Sequence, residues 1–177
     1  MRIADFLEDS FLRQSPDIDP IKNPEHLATG NAIAVKKGSI INLGNFSHAV
    51  ESGNRQIICD PKIDDIQTWW VEHAAVNIID SADLFLSSVI VPQIVFEKDS
   101  VLKQSPDKDV TEKDVIDGNV IEIRKGVALT VTEIGKPQSK HRKIKLAPNS
   151  DGITTTTTWY VFAPHIALLQ SLQSSFV

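Results

Sequence analysis

Residues 9–19 read Asp-Ser-Phe-Leu-Arg-Gln-Ser-Pro-Asp-Ile-Asp and residues 99–109 read Asp-Ser-Val-Leu-Lys-Gln-Ser-Pro-Asp-Lys-Asp, so eight of eleven positions are identical. A chain that writes one module twice must fold into two alike units, which constrains both domain count and fold class. The likeness extends beyond this block. Gly30-Asn31 recurs as Gly118-Asn119, residues 31–38 match 119–126, residues 55–61 match 142–148, and Thr-Trp-Trp-Val at 68–71 matches Thr-Trp-Tyr-Val at 158–161. The spacing slips between 87 and 90 residues because the loops differ in length, as loops of related units do.

The repeat divides 177 residues into halves close to the lower size at which a core is self-sufficient, so each half is expected to lean on the other. Short runs bounded by Gly, Pro and Asn recur every six to twelve residues, with no sustained helical period, which predicts an all-β chain. The expected strands are 9–14, 32–35, 40–46, 56–60, 68–71 and 76–79, then 99–104, 120–123, 128–134, 143–147, 156–162 and 166–169. Gly38 and Gly126 sit where Lys-Gly turns accept a positive φ. Helical turns are expected at 23–27, with Asn23 capping and Pro24 first, and at 111–115. The domain reading is 1–80, an apolar and rigid linker over 81–94 in which Phe85, Leu86, Val89 and Ile90 pack between the units, and 95–177.

No apolar run is long enough to cross a bilayer, and the first residues lack the basic start and apolar stretch of a secretory signal. These features predict a soluble protein, cytoplasmic or virion-associated. The single Cys59 aligns with Leu146, which predicts a small buried hydrophobe. Charge is uneven: residues 1–90 hold seven Lys and Arg against thirteen Asp and Glu, whereas 91–177 hold eleven against ten. Lys136, Lys140, His141, Arg142, Lys143 and Lys145 crowd one expected hairpin. Such a hairpin suits an anionic polymer, or is a solvated face; with no aromatic residue interleaved for stacking on bases, nucleic acid is disfavoured.

Consecutive strand residues face opposite sides, so one member of each pair Trp69/Trp70 and Trp159/Tyr160 points inward. Trp69 and Trp159, identical between the copies, are the expected core members. Trp70 and Tyr160, with Phe162 and His165 nearby, then form a candidate contact surface for sugars or an extended peptide, unless both aromatics of each pair seal the fold. Residues 98–105, the Arg-Lys-Gly turn at 124–126, the basic strand 141–146 and Thr-Trp-Tyr-Val-Phe at 158–162 together resemble the bacterial Src-homology-3-like modules found beside peptidoglycan-cleaving domains. The resemblance covers residues 95–169 and, through the repeat, extends more weakly to 5–79. It implies two tandem small Src-homology-3-like β-barrels and a non-catalytic module that attaches to bacterial cell-wall polymer or targets a partner to it.

Chemistry-bearing arrangements are absent from the sequence. The stretch from Asp107 to Gly118 has Glu112 where a calcium loop requires glycine and Gly118 where it requires a bidentate acid. Asp17, Asp19, Asp107 and Asp109 read as turn residues bonding their own backbone. The five histidines lie outside zinc-protease spacing, and no nucleophile elbow or phosphate loop occurs. The expectation is therefore no enzyme, no cofactor and no metal. The candidate ligand-binding set is Trp70, Tyr160, Phe162, His165, Lys140, Arg142 and Lys143. The partner is expected to be cell-wall glycan or a protein. An alternative role, motivated by the charge asymmetry and the lack of an attached enzyme, is a structural or adaptor subunit of a phage particle or bacterial assembly, with homo-oligomers or a larger assembly allowed.

Overall fold

The computed structural model describes residues 2–80, 88–107, 109–148 and 158–174. The first half runs β1 (Arg2–Phe6), β2 (Ser10–Arg13), α1 (Glu25–Thr29), β3 (Ala32–Val35), β4 (Ile40–Glu51), β5 (Asn54–Ile63), β6 (Ile66–Glu72), a 3-10 turn (His73–Ala75) and β7 (Val76–Asp80). The second repeats it as β8 (Ser88–Phe96), β9 (Ser100–Lys103), α2 (Glu112–Ile116), β10 (Val120–Ile123), β11 (Ala128–Gln138), β12 (His141–Leu146), β13 (Thr158–Phe162), a 3-10 turn (Ala163–His165) and β14 (Ile166–Ser174).

All-β character is as expected, and the pairing diagrams of the halves coincide strand for strand. In the first, β1 pairs β4 and β7, β2 pairs β3 and β6, and β5 lies between β4 and β6. In the second, β8 pairs β11 and β14, β9 pairs β10 and β13, and β12 lies between β11 and β13. The halves do not stand apart as separate sheets. A parallel contact between β14 and β3, Leu168 opposite Val35, joins the fourteen strands of the described residues into one sheet that runs from β10 at one end to β7 at the other.

Residues that recur between the copies hold the same joints. Asp9 Oδ1 accepts Lys37 N at 2.8 Å and Asp99 Oδ1 accepts Lys125 N at 2.7 Å, each clamping a Lys-Gly turn whose glycine has φ of 79° or 86°. Gln14 N donates to Asn31 O and Gln104 N to Asn119 O, tying the Gln-Ser-Pro block to the start of the following strand. β2 and β9 both stop before the Ser-Pro step, where a proline would remove a ladder donor. Asn23 Oδ1 accepts Glu25 N at 3.2 Å, so it serves the N-terminus of α1, although the helix begins one residue later than expected with Pro24 at the cap. α2 carries a full capping box, Thr111 Oγ1 accepting Asp114 N while Asp114 Oδ2 accepts Thr111 N.

Each half has its own apolar core. Trp69 with Phe6, Leu12, Ile41, Ile57 and Val71 fills one, and Trp159 with Phe96, Leu102, Leu129, Ile144 and Val161 fills the other. Both tryptophans are fully buried, in agreement with strand alternation. Cys59 is also fully buried, and burial pushes its thiol up to about 12, the behaviour of a packing residue and not of a nucleophile. The cores are linked: Leu168 of the second half belongs to the first core, and Ile134 packs against both.

Two expectations change. Residues 88–94, expected as linker, are the first part of β8, which pairs along its length with β14 and then with β11; residues 81–87, with Phe85 and Leu86, lie outside the described residues. β1 is a strand that the turn signals do not announce. Both strands are interior to the sheet, each lying between two neighbours and one strand from the end of its half.

The C-terminal end of α1 packs tightly against the second half. Gly30 has φ of 80°, and a Cβ there would lie 2.8 Å from Pro137 Cδ of the second half. Gly118, its repeat counterpart, has φ of 71° with open space around it. Alanine at either position incurs a left-handed backbone cost of about 1–2 kcal/mol, but only at Gly30 does it also push the halves apart. Gly30→Ala is therefore expected to lower the urea midpoint clearly more than Gly118→Ala, and equal losses would mean that Pro137 yields freely.

Candidate functional site

The seven candidate residues fall mainly into two places. Arg142 and Lys140 lie at the seam between halves, and Tyr160, Phe162 and His165 lie on the outer face of β13 and at its end. Arg142 is a correction. Along β12 the odd members His141, Lys143 and Lys145 face outward, while Arg142, Ile144 and Leu146 face inward. Arg142 is only 3 % exposed, and its guanidinium donates to the buried carboxylate of Asp64, in the β5–β6 turn of the first half, and to Gly135 O at 3.0 Å. A ligand has no access to it. Burial pushes the Asp64 carboxyl above its usual range, with the Arg142 charge and hydrogen bond opposing.

Lys140 stays exposed, but its Nζ lies 3.2 Å from Glu25 of α1, so its charge also braces the seam. Lys36 does the same from the other side, between Asp9 of its own half and Glu97 Oε1 of the second at 3.1 Å. Between these pairs, Lys36 N donates to Leu168 O at 2.8 Å and the buried Ser39 hydroxyl lies between Leu168 O and Gln170 N. Of the basic hairpin, only Lys143 is left as an exposed, unassigned member of the candidate set.

Tyr160 and Phe162 alternate with the buried Trp159 and Val161 and so share the outer face. Tyr160 is half-buried, opposite Lys143 on one side and Lys103 on the other. Phe162 lies between two imidazoles, with ring centroids 5.5 Å from His141 and 4.8 Å from His165, the second edge-on at 81°. His141 lies outside the candidate set; its register opposite Phe162 in the adjacent strand is what brings it in. Its Nδ1 donates to Ser139 O at 2.7 Å, and His165 Nδ1 lies 3.1 Å from Ser100 Oγ. Desolvation lowers both imidazoles below their usual 6.5, so the pair is neutral near pH 7 and presents an uncharged aromatic surface. Trp70 is half-buried on β6 of the other half, opposite Arg13 and Gln56, and takes no part in this cluster.

Phe162 and His165 line one wall of an open cleft of about 710 Å³, whose floor is Asp99, Ser100, Val101, Glu122, Ile123 and Arg124. The corresponding strip of the first half is Asp9, Ser10, Phe11, Ala34, Val35 and Lys36. There it forms one wall of a smaller groove, about 360 Å³, whose other wall is Glu97, Pro164, Ile166 and Ala167 of the second half. The same surface is thus covered by a neighbour in one copy and open in the other.

Among the described residues no group of three or more His, Cys, Asp or Glu could hold a metal ion, and no helix is long and apolar enough to cross a membrane. Compared with protein-family models, curated proteins and solved structures, the chain matches none. Its own geometry therefore carries the functional argument.

Proposed function

We propose that the chain is a non-catalytic structural or adaptor subunit of a phage particle or another bacterial assembly, built of two tandem small Src-homology-3-like barrels over 1–80 and 95–177. The coinciding pairing diagrams and the separate tryptophan-centred cores support the two-barrel reading. The observation that carries the role is the seam. A buried ion pair between the halves contributes little net stability but penalises every other docking geometry, because sliding the halves leaves a buried charge without its partner. Fixed relative placement of two modules is what a scaffolding element needs.

A second reading, attachment to cell-wall glycan, rests on the Phe162 cluster: a neutral aromatic wall over a cleft with carboxylate, hydroxyl and guanidinium groups on its floor suits a polyhydroxylated ligand. One preparation tests both. Sedimentation with the products of neighbouring genes is expected to give a complex of fixed stoichiometry, while the chain stays in the supernatant over purified peptidoglycan. Retention on peptidoglycan that Phe162→Ala abolishes, with no complex formed, reverses the order of the two readings.

A further inference from the structure

The two ends of the fourteen-stranded sheet are repeat counterparts of the two strands joined at its middle. β3 of the first half meets β14 of the second; β10, the counterpart of β3, and β7, the counterpart of β14, are the terminal strands, each paired on one side only among the described residues. We propose that a second copy of this chain docks there, the β10–α2 end of one molecule receiving the β7 end of the next in the arrangement that already joins the halves internally. This rests on the subunit reading above and names its partner.

Several contacts of the seam have counterparts at the two ends, although the loop that would correspond to the Asp64 turn lies largely outside the described residues. Leu168 opposite Val35 becomes Ile78 of one molecule opposite Ile123 of the other. The bond from Lys36 N to Leu168 O has its counterpart in Arg124 N, which has no such acceptor among the described residues. Pro137, seated against Gly30, corresponds to Val50 by its place opposite an arginine in the hairpin, Arg142 or Arg55. Val50 is 45 % exposed, and the position it would meet, Gly118, has open space. Counting back from the shared Gly-Asn pair, Leu27 and the buried Ala28 of α1 correspond to Val115 and Ile116 of α2, which are 40 % and 83 % exposed. Four of these positions are therefore apolar and uncovered, or vacant, only in the copy that lacks a neighbour.

The counterparts of the seam's polar groups point to a weaker joint. Glu97, Ser39 and Lys140 are replaced by Leu7, Val127 and Gly53, and Leu7 is itself half exposed. The intermolecular joint is more apolar and lacks the exposed ion pairs, so it forms reversibly with concentration, unlike the covalently linked seam. Charge favours the unlike ends meeting, since the first half carries −6 and the second +1. Such a contact is heterologous: each molecule keeps one free end of each kind, and the assembly closes into a ring or extends as a filament.

Sedimentation velocity of the full chain from micromolar to millimolar concentration tests this, with Val50→Glu and Ile116→Glu as variants whose exposed sites tolerate charge without unfolding. The wild type is expected to grow through multiples of 19.6 kDa, and each variant alone to remain monomeric. Mixed together, the variants should form a dimer and nothing larger, because each supplies the end the other has lost. A wild type that stays monomeric, variants that associate as the wild type does, or a mixture that fails to dimerise overturns the proposal. A monomer that still enters a complex with a neighbouring gene's product would sink self-association alone and leave the adaptor role standing.

Discussion

Arg142→Met is expected to lower the free energy of unfolding by about 3–5 kcal/mol, the usual penalty for leaving one member of a buried ion pair without its partner. The methionine fills the space, so the loss measures the carboxylate of Asp64, whose side chain has no exposure and whose Oδ1 has no hydrogen-bond partner among the described residues. Urea denaturation of the Asp64→Leu, Arg142→Met double variant separates charge from packing: it should recover much of the loss, because no buried charge is left. The deficit of the single variant should also shrink on acidification. Burial already holds the Asp64 carboxyl above its usual 3.8 while Arg142 opposes, so removing Arg142 raises it further. A folded-state value above the unfolded one contributes relative stability at low pH that is lost as pH rises through it, so the variant fares worst at neutral pH and best once Asp64 is protonated. A loss under about 1 kcal/mol, the range of exposed pairs, would mean that water reaches the seam.

The inward position of Arg142 is legible in the strand pattern itself. It shares a strand face with Ile144 and Leu146, just as Arg55 shares one with Ile57 and the buried Cys59, and alternation alone separates it from Lys143 and Lys145. Its partner leaves no such trace, since Asp64 lies 78 residues away and on the other copy. Trp69 and Trp159 are legible as core residues because strand alternation and repeat identity agree. Strand β8 reads as linker because its first residues join the two copies in an apolar stretch, which includes Pro92. The proline is tolerated there because β11 pairs only with Gln93–Val95, so Pro92 has a strand on one side, where it faces Gln170 of β14. The joining of the halves into one sheet rests on a single parallel register point, Leu168 with Val35, and leaves no periodic trace. His141 enters the aromatic cluster for a similar reason: its approach to Phe162 depends on how β12 and β13 are aligned, and the nine residues between 148 and 158 conceal that alignment.

Trp159→Ala is expected to cost about 3–5 kcal/mol, the range for truncating a large buried aromatic residue, and to unfold both halves together. Trp159 sits wholly within the second core, so two independent domains would confine the damage to residues after 88. Three features argue against independence: Leu168 fills the first core from the second half, Ile134 touches both, and the Asp64–Arg142 pair loses its compensation as soon as either half opens. The substitution supplies its own reporter. The chain has three tryptophans, and with Trp159 gone the remaining two, Trp69 and Trp70, both lie on β6 of the first half. Fluorescence of the variant then follows only the half that was not altered, while circular dichroism follows both. Coincident midpoints in urea, both below that of the wild type, are the expected result, because coincidence of probes is the mark of a single cooperative unit. A fluorescence midpoint left at the wild-type value while the dichroism falls in two steps would instead divide the chain into two units that fold alone, and the seam would then be a contact made between finished domains.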